Sequence, residues 1–279
     1  TAPKAGKIKK TTYNETLGVT EWTLSNGVRV IVKPTTFKQD EILFQGVSKG
    51  GASLVATEDL PSSMLASTIV DFSGLADMSL TDLQKALTGK NVSHSVSINN
   101  NTEVVSGSST VKDLETLLQI NYLSFTAPRR DEEAYQTLMS VLNSQLATRD
   151  KDPKVAFSDS IQMMANDHSS RIVLQDLAWL EKVNLDKALE VYKARFANPA
   201  DFVFTFVGNV DPADKVFQKM VCTWLGGLKT SKKKESVRDN GVRAPEGINK
   251  NYFTRPMETK TASNRIQYTS YDIPYTLDN

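Results

Sequence analysis

Residues 21–35, EWTLSNGVRVIVKPT, alternate with a period of two on both sides of Asn26-Gly27. Val28, Val30 and Val32 fall on one side, and Arg29, Ile31 and Lys33 on the other, with Trp22 and Leu24 ahead of the turn. Successive side chains of a strand point to opposite faces, and Asn-Gly tolerates the left-handed backbone of a tight turn, so this run predicts a β-hairpin. A second alternation, NVSHSVSINNNTEVVSGSS, sets Val92, His94, Val96 and Ile98 against Ser93, Ser95 and Ser97, turns through the asparagines and returns through Val104 and Val105. That run predicts a second hairpin. EILFQGVSKGGASL supplies a further strand closed by Gly50-Gly51, and FVFTFVG reads as a buried strand.

Helical periodicity separates these strands. LPSSMLASTIVDFSG, residues 60–74, predicts one helix opened by Pro61 and closed by Gly74. Leu65, Ile69 and Phe72 share a face with Thr68 beside them, and a stripe of this kind packs into a core. In SLTDLQKALTGK, Ser79 is placed as an N-cap with Asp82 three residues on, and Gly89 as a stop. Two longer helical patterns follow, broken at the proline of TAPRR. The stretch NLDKALEVYKARFANPADFVFTFVGNVDPADKVFQKMVCTWLGGL then reads as helix, turn, strand, tight turn, helix.

Composition narrows the chemistry. With 33 basic and 32 acidic residues the net charge is +1, which gives no field for steering toward nucleic acid. No apolar run is long enough to predict a membrane span, and TAPKAGKIKK lacks the apolar middle of a signal peptide. Cys222 is the only cysteine and continues an apolar helical face, so it reads as packed rather than nucleophilic. Two histidines, His94 and His168, are too few for a histidine-rich metal site. Met163 and Met164 read as packing residues, and Gly50-Gly51 lacks the spacing of a phosphate loop. Four segments are expected: an extended lead-in over 1–20, a main repeat over 21–230, a charged linker over 231–251, and the start of a further, truncated domain over 252–279.

The order LSNGVRVIV, GGASL, FVFTFVGNVDPADKV and WLGGL resembles one repeat of the pitrilysin/insulinase family of zinc metallopeptidases, which includes proteins like mitochondrial processing peptidase. The resemblance covers about residues 20–230 and implies an α+β unit with a mostly antiparallel sheet and packed helices. Members of that family pair two halves around a peptide, and the active half carries His-x-x-Glu-His on a helix with a glutamate ligand well downstream. The spacing serves the chemistry. Two histidines four apart share a helix face, and the glutamate can take the proton of a zinc-bound water. Setting FSG at 72–74 against the end of that helix puts Leu65, Thr68 and Ile69 at the His, Glu and His positions. The distant ligand position falls on Gln145, 76 positions beyond Ile69 (145 minus 69).

None of these four side chains can do that work, so the resemblance implies a non-catalytic repeat with no catalytic residue and no metal of its own. Zinc is then expected in the parent protein or a partner that bears the zinc motif, with this chain inactive by itself and forming part of a peptide-enclosing chamber. Val92, His94, Val96 and Ile98 are the candidate peptide-binding positions, on the hairpin that aligns with the family's substrate edge; a structural edge shielded by the neighbouring repeat is the alternative for that hairpin. Arg265 and Tyr268 are not matched to the arginine and tyrosine by which the family holds its peptide. The alternative is a structural or interaction subunit similar to a respiratory-complex core protein, with no protease in its assembly. The compartment is left open.

Overall fold

The computed structural model describes residues 1–269 and Thr276. The chain divides into two compact units, Thr1–Ser140 with Lys182–Arg238, and Val141–Glu181 with Asp239–Asn279. Strands β1 (Ile8–Asn14), β2 (Val19–Leu24), β3 (Arg29–Pro34), β4 (Ile42–Lys49), β5 (Val92–Ile98), β6 (Thr102–Ser109) and β7 (Val203–Gly208) form a seven-stranded sheet in the first unit. The helices are α1 (Leu60–Ser73), α2 (Leu80–Ala86), α3 (Leu114–Thr126), α4 (Glu132–Leu146), α5 (Pro153–Ala165), α6 (Leu177–Leu180), α7 (Leu185–Arg195) and α8 (Lys215–Trp224). The fold is α+β, and every strand pairing is antiparallel except β3 with β7.

The Asn26-Gly27 turn forms as its sequence requires. Gly27 adopts φ 88°, its N–H donates to the Leu24 carbonyl (2.9 Å), and Leu24 N–H donates to the Val28 carbonyl (2.9 Å). Trp22, Leu24, Val28, Val30 and Val32 are all buried, so the alternation marks the face that meets the helices. The strand order is β1-β2-β3-β7-β4-β6-β5, which makes the last strand in sequence the middle one in space. Phe204 and Phe206 of β7 are fully buried. Ring contacts run Tyr192–Phe196 (4.7 Å), Phe196–Phe202 (5.8 Å), Phe202–Phe204 (5.7 Å) and Phe204–Phe44 (5.7 Å). They continue Phe44–Phe206 (5.0 Å), Phe206–Phe217 (5.3 Å) and Phe217–Trp22 (5.7 Å). Gly46 stands opposite Phe204 in the β4–β7 ladder, and a Cβ there would lie 2.6 Å from that ring.

Helix α1 begins and ends where its sequence signals place it, with Pro61 in the first turn and Gly74 at φ 84° after the last. Its buried face differs from the expected stripe. Leu65 and Ile69 are buried, but Phe72 is 42% exposed, while Ser62, Ala66, Val70 and Ser73 are buried instead. Small side chains let α1 and α7 approach closely. Ser62 Oγ accepts the Asn184 N–H at the start of α7 (3.0 Å), and Ser73 Oγ donates to the Ile69 carbonyl (2.7 Å). Helix α2 is capped as expected, with Asp82 N–H donating to Ser79 Oγ (3.2 Å) and Ser79 Oγ to Asp82 Oδ2 (2.6 Å).

Residues 8–14 of the lead-in are β1 itself, paired to β2. Residues 229–238, at the start of the expected linker, lie along the first unit: Ser231 N–H donates to Asn198 Oδ1 (2.9 Å), and Asn198 Nδ2 donates to the Lys233 carbonyl (2.7 Å). In the second unit, Asp152 caps α5 by accepting the Lys154 N–H (2.8 Å), and Arg149 forms a forked pair with Asp159 at 2.7 Å on each arm. Residues 239–269 contain no helix or strand, and the end of the expected further domain, 270–275 and 277–279, lies outside the described residues.

Truncating Phe204 to alanine is expected to cost roughly 3–5 kcal/mol of stability, the range for buried aromatic side chains. Leu65→Ala and Ile69→Ala should each cost roughly 2–5 kcal/mol on the same basis, whereas Phe72→Ala should cost less than either. Urea midpoints of the four variants check both statements, and a Phe72 variant as unstable as the Ile69 variant would show the expected stripe to be the packed one.

Candidate functional site

The sheet has two outer strands among the described residues, and they are built differently. β1 carries Lys9 and Lys10, and its register with β2 shifts between Ile8 and Lys10. Lysines and irregular register are the usual means of preventing an edge from pairing. β5, VSHSVSI, has no charge and no proline, and pairs with β6 in unbroken register from Val92–Ser109 to Ile98–Glu103. It therefore carries none of these deterrents.

The ladder decides which backbone groups of β5 face outward. Asn99 N–H donates to the Thr102 carbonyl (2.8 Å) at one end, and Thr110 N–H to the Asn91 carbonyl (3.3 Å) at the other. Antiparallel pairs alternate between bonded and non-bonded, so Asn91, Ser93, Ser95, Ser97 and Asn99 turn their N–H and C=O groups toward β6. The N–H and C=O groups of Val92, His94, Val96 and Ile98 then point away from the sheet. The four residues marked in the sequence by side-chain alternation are thus the four that offer backbone donors and acceptors at the edge. Their side chains lie on the helix face, where Val96 is buried and the other three are half-buried. On the opposite face Ser93 pairs with Ser108 and Ser95 with Ser106, Oγ to Oγ at 2.8 Å in both.

Helices α1 and α3 pack against β5, and His94 faces Asn121 of α3. Burial pushes the imidazole down to about 4; the Asn121 amide beside it opposes the shift in part, without a bond of good geometry. A charged ring at this position would lose its hydration with no anion to replace it, so His94 is neutral at pH 7. On α1, Asp71 behaves in the opposite sense. It is an exposed residue whose carboxyl nevertheless sits among enough protein atoms to be pushed up to about 6.

The far end of the hairpin is clamped. All three asparagines of its turn are held by the single helical turn Gly51–Leu54 and the glycine before it. Gly50 N–H donates to the Asn101 carbonyl (2.9 Å), Ala52 N–H to that of Asn99 (2.8 Å), and Ser53 N–H to that of Asn100 (2.8 Å). Gly50 and Gly51 have φ of 142° and 56°, and a Cβ on Gly51 would lie 2.3 Å from the Asn99 carbonyl oxygen. The clamp is therefore what the glycine pair is for. In sequence the pair reads as a turn, and the clamp is not legible there because its partners lie about 50 residues away in the chain, beyond the reach of local turn signals.

The other candidate residues are not part of this strand. Leu65 and Ile69 of α1 are buried hydrocarbons, Thr68 is half-buried, and Gln145 is an exposed residue of α4 in the second unit. Neither hydrocarbon, nor a hydroxyl, nor an amide supplies the imidazole and carboxylate set that zinc requires, so these positions do not fit the metal. Among the described residues there is no group of three or more His, Cys, Asp and Glu side chains able to hold a metal ion. His168 is exposed beyond the end of α5, and Met163 and Met164 lie half-buried on that helix. Burial raises the Cys222 thiol above its ordinary pKa, which disfavours the thiolate. Among the described residues no helix is long and apolar enough to cross a membrane.

No family model matches the chain. It is 29% identical over 227 residues to a zinc protease PQQL-like protein of Arabidopsis thaliana, covering 81% of this chain and 21% of that one. It is 25% identical over 231 residues to the probable zinc protease PqqL of Escherichia coli, covering 82% of this chain and 24% of the relative. The crystal structure of the periplasmic protease PqqL from Escherichia coli superposes with a TM-score of 0.74 at 23% identity, over 88% of this chain and 26% of that one. An inactive peptidase domain from Pseudomonas fluorescens gives a TM-score of 0.61 at 13% identity, over 78% of this chain and 53% of the domain. The chain thus spans between a fifth and a quarter of the length of its sequence relatives.

The state of His94 sets a pH dependence. A histidine held at about 4 contributes stability that is complete above its unfolded pKa near 6.5 and is lost as pH falls toward 4. Asp71, held up at about 6, contributes with the opposite sign, since its stabilisation is present at low pH and fades as pH rises from about 4 to 6. Between pH 4 and 6.5 the stability of the unaltered chain relative to His94→Gln should therefore grow with pH, by at most ~3 kcal/mol. Urea titrations of both proteins at several pH values measure this, and a constant difference across the window would show that His94 titrates normally.

Proposed function

We propose that this chain, which belongs to the pitrilysin/insulinase-type family of zinc metallopeptidases as a non-catalytic repeat, forms part of the wall of a peptide-enclosing chamber and receives peptide along β5. The catalytic repeat, with its zinc motif, lies elsewhere in the same polypeptide or on a partner subunit. The observation that carries the proposal is the outward backbone of Val92, His94, Val96 and Ile98 on an uncharged, regular edge. Strand addition grips any extended peptide through its main chain, and alternate side chains then meet the helix face and the serine face. A chamber wall that must accept many sequences is served by such sequence-blind bonding. Neutral His94 suits the role, since a fixed charge at this edge would discriminate among peptides.

On this reading the zinc chemistry belongs to the other repeat. Zinc bound in the catalytic half would supply the activated water, and this chain would contribute surface and orientation. The positions of Leu65, Thr68, Ile69 and Gln145 take no part in the reaction.

Three measurements test the proposal. Isothermal titration of the 279-residue chain with zinc should give no stoichiometric binding, and tight binding abolished by changing His94 or His168 would overturn that expectation. Amide chemical-shift mapping with an unstructured peptide should show weak binding with shifts centred on residues 91–107, because association entropy must be overcome without the opposing half. Val96→Pro removes an outward N–H while leaving the β5–β6 bonds in place, and is expected to lower peptide affinity about tenfold, the worth of about one hydrogen bond. Binding whose shifts fall wholly outside 91–107 would sink the assignment.

A further inference from the structure

The strap of residues 229–238 reaches the clamp on the β5–β6 hairpin from two directions. Glu235 holds Arg195, at the end of α7, with both guanidinium nitrogens, Nη1 to Oε2 at 2.9 Å and Nη2 to Oε1 at 3.3 Å. The same Nη1 donates to Glu103 Oε1 (3.3 Å), and that oxygen also accepts the Gly51 N–H (2.8 Å). The second route runs through Ser53. Arg238 N–H donates to Ser53 Oγ (3.0 Å), which donates in turn to the Gly50 carbonyl (2.5 Å). Both routes end on the glycine turn whose N–H groups hold the three hairpin carbonyls.

Burial makes this route matter. Glu103 is fully buried and Arg195 is 9% exposed in its side chain, while Glu235 is only a quarter exposed. A buried carboxylate depends on the donors around it, since the medium supplies no alternative. Glu103 sits on β6 directly across from Ile98, the last outward-facing residue of β5. Any loosening of Arg195 or Gly51 is therefore delivered to the peptide-pairing strand.

We propose that Glu235 and Arg195 are positioning residues that couple the strap, and whatever pulls on the chain beyond Arg238, to the order of the β5 edge. The peptide end of this coupling rests on the proposed function, but the coupling itself does not. With the strap seated, the hairpin tip is held and the outward donors of β5 stand in one register. With it released, the clamp frays and the edge loses its preorganisation.

Residue-resolved hydrogen exchange on the 279-residue chain tests this directly. Glu235→Ala should speed exchange of the Gly50, Gly51, Ala52 and Ser53 amides by about tenfold through local opening, with the β2–β3 amides unchanged. Glu235→Asp should restore most of the protection. A merely structural defect would raise exchange across the whole sheet, and that outcome overturns the proposal, as does acceleration confined to 231–238. Peptide titration of the same variants is read separately. Weaker binding by Glu235→Ala, recovered by Glu235→Asp, supports transmission to the edge, whereas unchanged affinity despite frayed clamp amides overturns that half alone. No binding by the unaltered chain counts against the proposed function, while the exchange data still decide the coupling.

Discussion

The pairing of β7 with both β3 and β4 is the constraint on which the rest of the first unit depends. Without it the sheet is two separate pieces, β1-β2-β3 and β4-β6-β5, each with an uncovered inner edge. β7 joins them with a parallel ladder on one side and an antiparallel one on the other. The joint is secured by packing as well as backbone bonds, since the rings of Phe204 and Phe206 continue onto Phe44 of β4 and, through Phe217, onto Trp22 of β2. Gly46 is part of the same joint, because its missing side chain is the space the Phe204 ring fills. The strand that arrives last in sequence thus closes the sheet, and its contacts are long-range ones, which makes late assembly the expected order of folding.

Helix α1 is given over to packing. Two kinds of residue achieve it. Leu65 and Ile69 bury hydrocarbon, and Ser62, Ala66 and Ser73 bury very little volume but let α7 come close. Phe72 is left 42% exposed while Ser73, one residue away, is fully buried.

The β5 edge stands on the same sheet and depends on the same rigidity. It is uncharged, regular and fixed at its turn by glycines whose conformations only glycine adopts readily. The strand itself carries no charged residue, so the edge presents main-chain hydrogen-bonding groups with no charge of its own. The opposing pKa shifts of His94 and Asp71 offset one another in the mildly acidic range, which leaves the unit's stability less sensitive to pH than either residue alone would make it.

Local elements and the inward faces of the strands are legible in the chain's own pattern. The Asn26-Gly27 hairpin, the Ser79 cap, the limits of α1 and the alternation of Val92 to Ile98 follow from backbone preferences and periodicity within a few residues of each position. The resemblance carried by LSNGVRVIV, GGASL and FVFTFVGNVDPADKV placed those elements in the α+β architecture that the structure has. Other features arose only from tertiary structure. That FVFTFVG is the central strand, that Phe72 is spared burial, and that Glu235 reaches Glu103 through Arg195 all depend on which distant segments meet. Periodicity reports the face a residue prefers, but not the partner opposite that face. The partner is chosen by the joint packing of segments far apart in the chain, so a charged stretch with no apolar face reads as linker until a buried arginine is found to need its carboxylate.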